Sequence, residues 1–294
     1  MQNKKSLLFL TNFTEACFQA IPALAEWADH EDARLSLLHV HCPGRTEEGR
    51  AHKAMQSFFA EADRYARCER LLLAGDAETQ IVSFCREARP EIVFAPASHP
   101  TGIPRVRHRS LRASLLRKSN MRIWSRGRNG SRAPRKAPEN VAYIMSGHAN
   151  WHSEATMAAH TAARYGAQFH MIHLTPHQPV HDGTLVGDIG IGHPSLREEE
   201  LTALTGSLPM EPIVHSSTGD EFRELPRLLE ESHASMVFLG ERHAIRRGVF
   251  GYSVNRDLES RDCEFVCFPE KAMAGDTQLD LESLGTYRLL PELQ

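Results

Sequence analysis

Residues 75–99 read GDAETQIVSFCREARPEIVFAPASH and residues 219–243 read GDEFRELPRLLEESHASMVFLGERH. The two stretches align without a gap. They share Gly75-Asp76 with Gly219-Asp220, Glu87 with Glu231, Val93-Phe94 with Val237-Phe238, and His99 with His243, at a constant offset of 144. A second echo lies upstream, where Ala33 to Val40 (ARLSLLHV) answers Ala167 to Leu174 (AQFHMIHL) at an offset of 134. The second half therefore carries ten extra residues between the two echoes. Repetition at this period predicts two copies of one complete domain, since solenoid units are too small to bury a core alone. A chain of 294 residues fits two domains of ordinary size.

Composition sets the class. The chain is 41% hydrophobic and 24% charged, as expected of a soluble globular protein. No run approaches the roughly 20 apolar residues of a membrane span. The opening Lys4-Lys5 followed by Ser6 to Leu10 is too short an apolar stretch for a signal peptide, so it reads as the first strand of a cytoplasmic protein. Six cysteines (Cys17, Cys42, Cys68, Cys85, Cys263, Cys267) without a CxxC pair predict reduced thiols that fill core, with Cys263 and Cys267 on one face of a strand.

Apolar runs alternate with helical periodicity. In the first half, strands are predicted at Leu7 to Leu10, Leu35 to Val40, Leu71 to Ala74, Ile92 to Ala95 and Met121 to Trp124. Helices are predicted between them, over 16–28, over 47–67, after an Asp76 N-cap and over 111–117. The second half repeats this, with strands near Val141 to Met145, Phe169 to Leu174, Pro212 to Val214, Met236 to Leu239 and Glu264 to Phe268. Short apolar strands separated by helices predict two tandem doubly wound α/β domains, each a five-stranded parallel sheet flanked by helices. The boundaries are 1–125 for the first domain, 126–138 for a Gly/Pro/Arg-rich linker, 139–270 for the second domain and 271–294 for a C-terminal tail. The tail is either frayed or docked as an arm on a partner domain.

The element order, the Gly-Asp after strand three and the strand-four signature Val237 to His243 (VFLGERH) resemble the universal stress protein family in its tandem form. The resemblance implies an adenine-nucleotide alpha-hydrolase-like fold. It also implies, for ATP-binding members, an Asp after strand one and a G-x-x-G-x9-G-(S/T) loop after strand four, where backbone amides cradle phosphate. Carried onto this chain, the pattern is incomplete. Gly240 and Gly251 match the first and third glycines of the second half, while the second falls at His243, or at Gly248 if the loop is shorter, with Tyr252 at the hydroxyl position, Ser253 one step beyond and Met145 or Ser146 at the strand-one aspartate position. In the first half Pro96, His99 and Arg109 stand at the three glycine positions, Ser110 keeps the hydroxyl, and Asn12 replaces the aspartate. Side chains at glycine positions restrict φ and fill the space of a phosphate. The resemblance thus implies a non-enzymatic stress-response protein that acts by binding, with impaired or absent ATP binding. The alternative is an ATP or AMP sensor or weak ATPase using Asn12, Arg109 and Ser110, or Gly240, Gly251 and Ser253. Arginine near Ser110 would there stand in for backbone amides, because it binds phosphate bidentately.

Net charge is −3, but it is unevenly spread. From Ile92 to Pro138 there are ten arginines, two lysines and no carboxylate, which leaves 22 basic against 37 acidic residues elsewhere. A basic segment over 105–136 raises a second alternative, nucleic-acid binding, yet only Trp124 there offers an aromatic for stacking, so self-association or a solvated linker is the expectation. Among 17 histidines, His148 and His152 have helical i,i+4 spacing but no HExxH context. His39 and His173 occupy equivalent strand-two positions, which favours packing over a metal. Ser146-Gly147-His148 resembles only part of a pyrophosphatase loop, no G-x-S-x-G elbow occurs, and no catalytic or metal residue is assigned. Family habit implies that the two domains pair through strand five, placing Met121 to Trp124 and Glu264 to Phe268 at a shared interface. Leu289, Leu290 and Leu293 would supply a further, homodimeric contact.

Overall fold

The computed structural model describes residues 5–42, 48–64, 68–96, 111–127, 137–145, 151–176, 205–219, 221–241, 258, 261–269 and 287–289. In chain order the elements of the first half are β1 (Ser6–Leu10), α1 (Glu15–Glu31), β2 (Arg34–His41), α2 (Glu48–Ser57), a 3-10 turn (Ala60–Arg64), β3 (Cys68–Ala74), α3 (Ala77–Ala88), β4 (Ile92–Phe94), α4 (Leu111–Ser114, continued as a π turn Leu115–Ser119) and β5 (Arg122–Arg126). Then follow β6 (Asn140–Ile144), α5 (Trp151–Tyr165), β7 (Gln168–Pro176), β8 (Ile213–Gly219), α6 (Glu221–Glu231), β9 (Met236–Gly240), β10 (Glu264–Phe268) and β11 (Tyr287–Leu289). The chain forms two compact units, Met1–Arg135 together with Lys271–Gln294, and Lys136–Glu270.

Within the first unit the strand order is β3-β2-β1-β4-β5, all parallel, with β11 added antiparallel to the outer edge of β3. The tail thus supplies a sixth strand that apolar patterning does not show. Open edges attract strands, and the chain covers this one with its own C-terminal segment. The second unit has the order β10-β9-β6-β7-β8, again parallel. Both cores are aromatic and aliphatic: Phe9, Trp27, Phe58, Phe94 and Trp124 are fully buried in the first, and Tyr143, Phe169, Phe238 and Phe265 in the second.

The repeat survives at the level of single atoms. Thr11 N–H donates to Leu38 O at 2.9 Å, and Met145 N–H donates to Ile172 O at 3.0 Å, the same bond 134 residues on. Arg89 and His233 both take left-handed φ (44° and 47°) after their helices, and Asp32 and Gly166 do so at the corresponding earlier corners (43° and 63°). Gly75 and Gly219 lie at φ 134° and 153°, a region that side chains rarely adopt. A Cβ on Gly75 would stand 3.1 Å from Gln80 Nε2. Gly75→Ala is accordingly expected to destabilise the first unit by about 1–3 kcal/mol, measured by urea denaturation. Asp76 begins α3 as predicted, accepting from Thr79 N–H at 2.9 Å and from its hydroxyl at 2.7 Å. The hydroxyl bond, then the amide bond, hold its carboxyl below the ordinary range.

Three strands run beyond the sequence reading, each where its polar residues find partners on other elements. β5 runs to Arg126, because buried Ser125 donates its hydroxyl to Ala95 O (2.8 Å) and accepts from Arg112 Nη1 (3.0 Å). β3 starts at Cys68, because Ser36 donates to Glu69 (3.0 Å) and Arg70 bonds Asp63 and Phe59 O. β8 continues through Ser216, Ser217 and Thr218, and Ser217 donates to Glu224 at 2.7 Å. The helix expected over 47–67 stops at Ser57, where Phe59 turns to φ 51° before the 3-10 turn.

Candidate functional site

In a doubly wound sheet, ligands bind beyond the C-terminal strand ends where the strand order reverses. That point lies between β1 and β4 in the first unit and between β6 and β9 in the second. Leaving β1, the chain passes through buried Thr11 to exposed Asn12. The Asn12 carbonyl Oδ1 accepts from Thr14 N–H (3.3 Å), Thr14 Oγ1 (2.7 Å) and the Cys17 thiol (3.1 Å). This Asx turn satisfies the first turn of α1, whose N-cap Thr14 makes no side-chain cap bond of its own. An aspartate's second oxygen is replaced by an amide, and the oxygen that remains is committed to the fold.

The next residue, Phe13, has φ 60°, an uncommon conformation for a bulky residue. Its ring packs on the His39 ring (centroids 4.5 Å apart) and edge-on to Phe58 (5.8 Å), and Phe58 also meets Phe18 at 5.1 Å. The ends of β1 and β2 therefore sit under the chain's own aromatic cluster. By count along the repeat, the second half has Gly147 where the first has Phe13. His39 Nδ1 bonds Thr11 O at 2.8 Å. Burial holds the imidazole below the ordinary histidine value, against the opposing effect of that carbonyl, and the charge of His41 adds to the lowering. His41 is itself buried, and its Nδ1 has no hydrogen-bond partner.

In the second unit, Gly240 is the last residue of β9, buried and in register with Phe268 of β10. It ends the strand ladder, and Pro96 stands at the same place after β4. Arg109, Ser110, Gly251 and Ser253, like Ser146 to His148, lie outside the described residues. Sequence reasoning missed the buried pair between β6 and α5, where Tyr143 O–H donates to Glu154 at 3.1 Å from the first turn of α5. A single glutamate in an alanine-rich helix carries no signal of its own.

The described part of the basic segment is engaged within its own unit. Arg112 bonds Ser125, Lys118 pairs with Glu78, and Arg122 approaches Glu91 at 3.5 Å. His152 bonds Ser207 at 3.1 Å. Among the described residues, no three His, Cys, Asp or Glu side chains converge as metal ligands, and no helix is long and apolar enough to cross a membrane.

Two parallel five-stranded sheets flanked by helices define a tandem doubly wound α/β protein. Comparison with solved structures makes this specific: the chain has the fold of the universal stress proteins, in the two copies that the strand orders show. A universal stress protein from Archaeoglobus fulgidus superposes at a TM-score of 0.64 with 13% identity, covering 92% of this chain and 100% of that one. A Pseudomonas aeruginosa protein provisionally assigned to the same group gives 0.60 with 12% identity over 91% and 94%. No protein-family model and no curated protein matches the sequence.

Proposed function

We propose that this chain is a non-enzymatic stress-response protein of the universal stress protein type, acting by binding, with adenine-nucleotide affinity weakened or lost. The observation that supports this is the commitment of the residues after β1 to the chain's own fold. Asn12 spends its oxygen on the start of α1, and Phe13 lays its ring over the ends of β1 and β2. In the second half the sequence lacks the strand-one aspartate and the second loop glycine, which points the same way. A partner protein is then the expected ligand, in the cytoplasm, with self-association of the two domains and of whole chains.

The competing reading keeps a nucleotide on Arg109 and Ser110 or on Gly251 and Ser253, as a sensor or weak ATPase. A nucleic-acid role for 105–136 is weakened by the internal bonds of Arg112, Lys118 and Arg122. Calorimetric titration with ATP and with AMP, each with and without Mg²⁺, separates these. The expected result is a Kd weaker than about 1 mM, the affinity of only a few good contacts. Micromolar binding that Ser110→Ala or Gly251→Arg abolishes would establish the sensor instead.

A further inference from the structure

We propose that His170 and His215 form an acid-released latch that holds edge strand β8 to its sheet. His170 Nδ1 and His215 Nε2 are 2.9 Å apart, with ring planes inclined by 24° and centroids 5.2 Å apart. That separation is close to the N···N distance plus one ring radius at each end. The rings therefore meet nitrogen to nitrogen, in an N–H···N bond, and are not stacked face to face. On the far side of His170, Nε2 bonds Asn140 Oδ1 at 3.1 Å.

The acceptor fixes the protons. Asn140 Oδ1 takes the Nε2 proton of His170, so His170 Nδ1 keeps its lone pair and His215 Nε2–H donates to it. A proton that enters at His170 Nδ1 removes the acceptor, and the bond from His215 is lost. The groups facing His170 are neutral Asn140 on β6, His215 on β8 and His233 at the end of α6. Burial, then the charge of His215, then that of His233, hold its imidazole below the ordinary value. The stabilising bond is thus complete above the ordinary histidine pKa of about 6.5 and is lost as pH falls through the lower folded value.

The fold does not require these residues. At the equivalent positions the first unit has Ser6, Ser36, Leu71 and Arg89 in place of Asn140, His170, His215 and His233. The strand they hold is also the vulnerable one. Whereas β3 lies between β2 and β11, β8 pairs only with β7 among the described residues, and it exposes Ile213 and Val214. Release at low pH would uncover an apolar strand edge, a surface that other chains pair with.

Amide hydrogen exchange over residues 212–219 of the full chain, corrected for intrinsic rates, tests this between pH 7.5 and 5. Protection of β8 is expected to fall by up to about tenfold per pH unit below the histidine range. His170→Gln keeps an acceptor for His215 and a donor for Asn140 but cannot titrate, so its β8 should stay protected at both ends. His215→Leu, which restores the first unit's residue, should give lower protection that no longer varies with pH. A wild-type β8 whose protection is flat, or a pH dependence unchanged in His170→Gln, overturns the latch.

Discussion

Phe94→Ala is expected to cost the first unit about 3–5 kcal/mol, the range for an aromatic removed from a closed core. Phe94 is fully buried on β4, the middle strand between β1 and β5. Its ring meets three others: Trp124 at 5.0 Å, Trp27 edge-on at 6.2 Å and Phe9 at 6.4 Å. Those partners come from β5, α1 and β1 and meet it on one face of the sheet, so the hole opens among several rings and no single side chain can collapse into it. Domains carry only about 5–15 kcal/mol in total, so the loss approaches unfolding at physiological temperature. Urea denaturation followed by tryptophan fluorescence reads it directly, since Trp27 and Trp124 line the cavity. A shift below 1 kcal/mol would show that the core repacks.

Second in size is an asymmetry across one ion pair. Arg70 is buried on β3 and pairs with Asp63 of the 3-10 turn, while its Nη2 donates to Phe59 O at 3.1 Å and its Nε has no partner. Asp63 is 57% exposed. Removing the carboxylate strands a cation in the interior, so Asp63→Ala is expected to cost about 3 kcal/mol. Arg70→Met removes the buried charge and returns Asp63 to water, at a cost under about 1 kcal/mol. Equal losses in the two variants, measured by urea denaturation, would mean that the pair itself is the stabilising element.

The first crevice was legible only in outline. Its place follows from strand order, and Asn12 was found by its position after β1. What Asn12 does was not legible, because an Asx turn and a ligand contact use the same atom. Phe13 gave no signal either, since its positive φ goes with ring contacts to His39 of β2 and to Phe58, which are distant in sequence. His170 and His215 stand 45 residues apart in the sequence, and only the parallel pairing of β7 with β8 sets them nitrogen to nitrogen.

By itself the sequence determined the duplication and the α/β class, because apolar periodicity and Gly-Asp corners are local properties. Tertiary structure decided how far β3, β5 and β8 extend, since their polar residues are strand-forming only when Glu69, Arg70, Ser125 and Ser217 find partners from other elements. It also decided that the C-terminal tail is a strand. Tyr287–Leu289 has no alternating pattern to announce it, and its hydrogen-bonding groups become a ladder only where β3 offers an open edge.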